Sequence, residues 1–216
     1  MTRLMEILGE TVRDRCRKAN LTPFDEEVRK CILRTFARNG LPPSMQEIAD
    51  TLLIASDESV TRAINRLHEA DLLAKRDDII ISAYPFSAAE TRHAVVFPDG
   101  HTANALCAID ALGMHFMLGE DLEVRSLCPQ CDQAIILHLK EGRIVSWEPA
   151  EALEYVNISC TCGCKTQTRC PHINLFCDLD HLEQWRMHNP SSGNGEIFTL
   201  EEALEDGRLI CGEYLK

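Results

Sequence analysis

The side chains best equipped for chemistry in this sequence are thiols and one carboxyl. Cys107 and Asp110 stand three positions apart in Cys107-Ala108-Ile109-Asp110, a spacing that puts both on one face of a helix. Cys170 opens Cys170-Pro171-His172, ahead of the apolar run Ile173 to Cys177, and a thiol at a loop-to-strand junction is better exposed than one inside a strand. Thiolates bind soft metals and attack electrophiles, and a carboxyl within reach can move the protons that either reaction requires. Spacing alone also allows a plainer reading, in which Cys107 is a core cysteine beside a solvent-facing Asp110. His172 is open in the same way, as a group orienting the Cys170 loop or as a packed imidazole.

Eleven cysteines are many for 216 residues, and eight of them lie between positions 107 and 177. The count is odd and the first twenty residues lack the apolar segment of a secretory signal, so disulfide scaffolding is the weaker explanation and a cytoplasmic location is expected. Cys128-Pro129-Gln130-Cys131 is a Cys-x2-Cys knuckle, and Cys160-Thr161-Cys162-Gly163-Cys164 adds three thiols. A structural zinc ion held by Cys128, Cys131 and two of Cys160, Cys162 and Cys164 is one reading; reduced loop thiols that relay a metal are the other. Cys16, Cys31, Cys177 and Cys211 are expected as core residues, and His93, His101, His115 and His138 show no ligand-pair spacing.

Positioning these groups falls to two kinds of structure. Apolar residues at helical spacing predict helices over 4–18 and 24–38, the second stopped by Gly40-Leu41-Pro42-Pro43. Ser44 caps a third run, and Ser59 to Leu73 forms a fourth that leads into the alternating Lys75 to Tyr84 segment. Helix, turn, helix and hairpin in this order is the winged helix-turn-helix pattern, with Arg62 and Arg66 on the presumptive recognition helix. Beyond residue 93 a strand and turn lead to a predicted buried helix over Ala103 to Leu118, with Cys107 inside it. Short alternating runs at 122–128, 134–140, 143–149 and 153–159 then predict an antiparallel sheet. A helix over 178–189 and a short helix opened by the capping box Thr199-x-x-Glu202 complete the chain. The expected fold is α+β: a winged-helix-like helical module over 1–85, packed on an antiparallel-sheet domain with flanking helices over 86–216.

Charge narrows the choice of partners. The net charge is −12; residues 1–85 hold 13 Lys/Arg against 14 Asp/Glu, which leaves 9 against 20 for 86–216. Phosphate binding needs clustered positive charge, so a nucleic-acid partner is disfavoured and the Arg62/Arg66 pair reads as a solvated helix face. No stretch approaches 18 uninterrupted apolar residues, so no membrane partner is expected.

The Cys-Ala-hydrophobic-Asp segment, followed 63 residues after its cysteine by Cys170 and the His172 to Phe176 run, resembles the alkylmercury lyases. The likeness runs without gaps from about Arg92 to Trp185 and takes in Cys128 and Trp147-Glu148-Pro149; the first 85 residues match in layout more than in letters. Leu106 stands where the family has an aromatic residue, and Pro171 where it has a second cysteine. The resemblance implies protonolysis of a carbon-mercury bond, with Cys107 and Cys170 as mercury-binding catalytic cysteines and Asp110 as the proton-handling carboxyl. It further implies an organomercurial substrate, mercury(II) as bound product and no organic cofactor, with low-molecular-weight thiols and a flavin-dependent mercuric reductase downstream. The competing reading from another class is a metal-responsive winged-helix transcriptional regulator whose cysteine cluster is the sensor.

Overall fold

The computed structural model describes residues 12–54, 56–157, 169–190 and 195–215. Helix α1 (Val12–Lys18) is the described part of the first predicted helix. Helix α2 (Pro23–Asn39) begins at a capping box in which the Thr22 side chain accepts from the Asp25 N–H and the Asp25 carboxylate accepts from the Thr22 N–H. It ends at Gly40, whose φ of 70° is left-handed and whose Cα faces the Thr102 carbonyl too closely to admit a Cβ. Helix α3 (Met45–Thr51) carries the expected Ser44 cap, and α4 (Asp57–Glu69) follows.

The hairpin after α4 is formed by β1 (Leu73–Arg76) and β2 (Ile79–Ala83), and it is not a free-standing wing. It forms one end of an eight-stranded antiparallel sheet completed by β3 (Phe86–Ser87), β4 (His93–Val96), β5 (Thr102–Ala105), β6 (Leu122–Leu127), β7 (Ala134–Lys140) and β8 (Arg143–Glu148). The strand order is β1-β2-β3-β5-β4-β6-β7-β8, so hydrogen bonding between β2 and β3 crosses the expected division at residue 85. A second sheet, ordered β10-β9-β11, joins β9 (Leu153–Val156), β10 (Ile173–Phe176) and β11 (Glu196–Phe198). The last of the four alternating runs thus belongs to a different sheet from the other three.

Helix α5 (Ala108–Leu118) is apolar on nearly every side because it is covered on every side: by β4, β5 and β6, by β10, and by α7 (Leu200–Cys211). Gly113 and Gly207 make the crossing of α5 and α7 close, since a Cβ on Gly113 would lie 2.5 Å from the Cys211 sulfur. Helix α6 (Leu179–His188) packs on β10. The core runs through both halves of the chain, with Phe36 of α2 stacked on Phe86 of β3 at 5.3 Å between ring centroids. Among the described residues no helix is long and apolar enough to cross a membrane.

The predicted helix over Ala103 to Leu118 begins later than expected. Thr102 to Ala105 is strand β5, paired on one side with β3 and on the other with β4, and the helix starts only at Ala108. Two ladders of backbone hydrogen bonds override the helix propensity of an alanine-rich stretch.

Candidate active site

Cys107 is therefore not inside the helix but at its N-cap, with extended backbone (φ −155°, ψ 179°). Its sulfur accepts from the Asp110 N–H at 3.5 Å, and its thiol donates to Asp110 Oδ2 at 3.1 Å. Asp110 occupies the third position of the helix, so thiol and carboxyl sit together where unpaired N–H groups and the helix dipole favour negative charge.

Cys170 reaches the same place from another part of the chain. It opens a one-turn 3-10 helix, Cys170–His172, that feeds directly into β10, and β10 packs against α5. The Cys170 thiol lies 3.8 Å from the same Asp110 Oδ2, and all three residues are buried. One carboxylate oxygen is thus shared by two thiols 63 residues apart in the chain.

Burial dominates the electrostatics. It pushes the Asp110 carboxyl up from 3.8 to about 7, while the Cys107 bond, the charge of Arg15 and the Cys170 bond pull the other way. The Cys107 thiol is pushed well above its usual value by burial and then by its Cys170 and Asp110 neighbours, which outweigh the helix terminus.

Arg15 carries the cation nearest in effect to this site, and it comes from α1. Its guanidinium lies over the Tyr84 ring at 4.4 Å and is bound to the Asp71 carboxylate at 2.9 Å. Burial and the charge of Cys170 raise the Tyr84 hydroxyl far above its usual value. Tyr214 and Cys211 are also buried near Asp110, whose charge helps to raise both. Sequence reasoning passed over this layer, because an arginine in a run of charges reads as solvated and tyrosines 130 positions apart carry no spacing signal.

The remaining candidates fall as follows. The His172 carbonyl accepts from the Asn157 N–H at 3.0 Å. Buried His93 bridges β4, β6 and β10 through Ser126 and Asn174, and burial lowers it to about 4, so it is a neutral brace. His101 and His115 bond to backbone carbonyls, and His138 faces Glu123. Cys160, Cys162 and Cys164 lie outside the described residues. Cys128 and Cys131 do come together, and their companions are Cys177 and His181, with the four ligand atoms within 4.8 Å of one another. Arg62 is exposed beside Glu58, as expected of a solvated face, whereas Arg66 reaches inward to the fully buried carboxylate of Asp25.

The family description "MerB: Alkylmercury lyase" matches residues 86–212, more than half of the chain and the whole of the segment that builds the thiol-carboxyl site. The chain belongs to the alkylmercury lyase family. A curated alkylmercury lyase from Bacillus cereus is 27% identical over 116 residues, 54% of this chain and 52% of that protein. The matched region thus spans about half the length of the curated relative. A LexA repressor from Pseudarthrobacter chlorophenolicus is 40% identical over 55 residues, 26% of this chain and 22% of that protein. In three dimensions the crystal structure of the mercury-bound form of MerB2 superposes with a TM-score of 0.76 at 20% identity, covering 95% of this chain and 99% of that one. The large antiparallel sheet and its helices are therefore the fold of this alkylmercury lyase family.

Proposed function

We propose that this protein is an organomercurial lyase that cleaves a carbon-mercury bond by protonolysis, with Cys107 and Cys170 binding mercury and Asp110 carrying the proton. The observation that carries this reading is the shared oxygen: Asp110 Oδ2 lies 3.1 Å from one thiol and 3.8 Å from the other.

The substrate enters as R–Hg–SR′, with a small thiolate as the second ligand. Asp110 takes the Cys107 proton as that sulfur binds mercury, the softest of partners for a soft ligand. Cys170 binds next, and its proton leaves with the displaced R′S⁻ as R′SH. Two thiolates push electron density onto the metal and weaken its bond to carbon. Asp110 then protonates that carbon, the bonding pair stays with carbon, and RH departs while mercury(II) remains on two sulfurs. A carboxyl near 7 is suited to both halves of this cycle, since it neither holds nor releases its proton irreversibly at neutral pH. Small thiols lift mercury(II) from the site, and a flavin-dependent mercuric reductase is the downstream acceptor.

We read the module over 1–85 as winged-helix-like in layout and as a packing unit for the domain over 86–216, working in the cytoplasm. Arg66 is engaged with buried Asp25 and Arg62 with Glu58, which supports a helix braced inward over one presented to DNA.

The test is incubation with phenylmercury and excess small thiol, with benzene as readout. The wild-type protein should release benzene, and Cys107→Ser, Cys170→Ser and Asp110→Ala should each lose at least about a hundredfold in rate. Absence of benzene from the wild type overturns the reading.

A further inference from the structure

A second constellation lies outside this site. Cys128 and Cys131 flank the turn between β6 and β7, where the Cys128 carbonyl accepts from the Asp132 N–H and the Cys128 N–H donates to the Gln133 carbonyl. Cys177 follows β10 directly, and His181 lies in the first turn of α6, whose cap Asp178 accepts from the His181 N–H at 2.7 Å. The four side chains converge: Cys131 Sγ lies 3.9 Å from Cys177 Sγ and 3.7 Å from His181 Nδ1, and all four ligand atoms fall within 4.8 Å of one another.

The Cys131–Cys177 and Cys131–His181 separations match two of the six edges of a tetrahedron around zinc. With Zn–S near 2.3 Å and Zn–N near 2.0–2.1 Å, tetrahedral geometry requires sulfur-sulfur edges of about 3.8 Å and sulfur-nitrogen edges of about 3.6 Å. A disulfide is a different geometry, its sulfurs about 2.05 Å apart. The ligand set reads Cys-x2-Cys and, further on, Cys-x3-His: two short pairs from two elements, the usual way a closed zinc site joins them. Three thiolates and one imidazole suit zinc over magnesium or calcium, which take oxygen.

We propose that Cys128, Cys131, Cys177 and His181 form a structural zinc(II) site. Its ligands differ from the set the sequence suggested: Cys177 and His181 take the places expected for two of Cys160, Cys162 and Cys164. The ion clamps the β6–β7 turn to the junction of β10 and α6. Cys177 and Cys170 stand at opposite ends of β10, so the clamp anchors the far end of the strand that presents Cys170. This inference does not depend on the lyase reading, because zinc content and hydrocarbon release are measured separately.

The test uses protein expressed in zinc-supplemented, mercury-free medium and purified without chelator, with metal measured by mass spectrometry. The wild type and a Cys160→Ser/Cys162→Ser/Cys164→Ser variant should each carry about one zinc per chain, and Cys131→Ser and His181→Ala should lose it at least about tenfold. Because those variants could also lose the fold, cobalt(II) is exchanged into the wild type as a second measurement. Intense visible bands of tetrahedral cobalt with sulfur-to-metal charge transfer are the expected result. Three outcomes overturn the proposal: wild-type protein with neither zinc nor the cobalt spectrum, zinc lost from the triple variant but kept by Cys131→Ser and His181→Ala, or a site whose three thiols take up only mercury.

Discussion

Asp110 grips Cys107 twice, its backbone N–H donating to the sulfur at 3.5 Å while its Oδ2 accepts from the thiol at 3.1 Å. The pair is held by one helical turn, so proton donor and acceptor cannot drift apart without unwinding the start of α5. The protonation state of that carboxyl should be visible in stability before any substrate is added.

Burial raises the Asp110 carboxyl from 3.8 to about 7, so the folded protein keeps a proton that the unfolded chain releases. The contribution of this group is fully present below pH 3.8 and is lost as pH rises towards 7. Above that, the ionised carboxylate costs up to about 4 kcal/mol. Asp110→Asn should therefore be more stable than the wild type at pH 8, by an amount that shrinks as the pH is lowered, while benzene release is lost. Urea unfolding across the pH range checks this, and parallel curves for the two proteins would refute it. Other buried acids such as Glu154 are common to both proteins and cancel in the difference.

Arg15 opposes burial at Asp110, so neutralising it should push the carboxyl higher still. In Arg15→Gln the acid limb of kcat/KM for hydrocarbon release should move to higher pH by about one unit. A limb that stays in place would show that a different group controls it.

The crossing of α5 and α7 leaves no room for a methyl group at Gly113, where a Cβ would meet the Cys211 Sγ at 2.5 Å and its Cβ at 2.7 Å. Gly113→Ala should cost about 2–3 kcal/mol in chemical denaturation. Adding Cys211→Gly should return part of the loss, and the non-additivity of the double-mutant cycle measures the clash.

Two arginines on α4 should behave differently. Arg66→Ala leaves the fully buried Asp25 carboxylate without its guanidinium and should cost about 2 kcal/mol, a figure reduced for the exposure of Arg66 itself. Burial acts against the Asp25 charge, but bonds from Arg66 and Thr22 outweigh it and hold the carboxyl below its usual value. Stability from this group is present above the unfolded value and lost as pH falls through the lowered one, so Arg66→Ala should flatten the acid side of the stability profile. Arg62→Ala removes only an exposed pair with Glu58 and should change stability by less than about 0.5 kcal/mol.

The legible parts of this fold were those written in local chemistry. Ser44 and Thr199 each cap a helix through an acidic residue three positions on, and both capping boxes are where the letters place them. Alternation marked β6 and β7, each with one face buried and the other open, whereas β8 is a strand exposed along nearly its whole length. The start of α5 was misplaced because the letters of Thr102 to Ala105 do not record that β3 and β4 flank them. Long-range placement escaped in the same way: Arg15 beside Tyr84, or His181 beside Cys131, depends on how elements dock and leaves no mark in spacing.

The strand pairing across residue 85 bears on any attempt to isolate the half of the chain that holds Cys107, Asp110 and Cys170. A fragment beginning at Phe86 would lose β1 and β2, strip Phe86 of its stacked partner Phe36, and leave a two-residue strand guarding the border of the sheet. Unpaired N–H and carbonyl groups beside a bared aromatic ring recruit other chains. Such a fragment would be a seed for aggregation, because β1 and β2, which cover the β3 edge in the intact chain, would be gone.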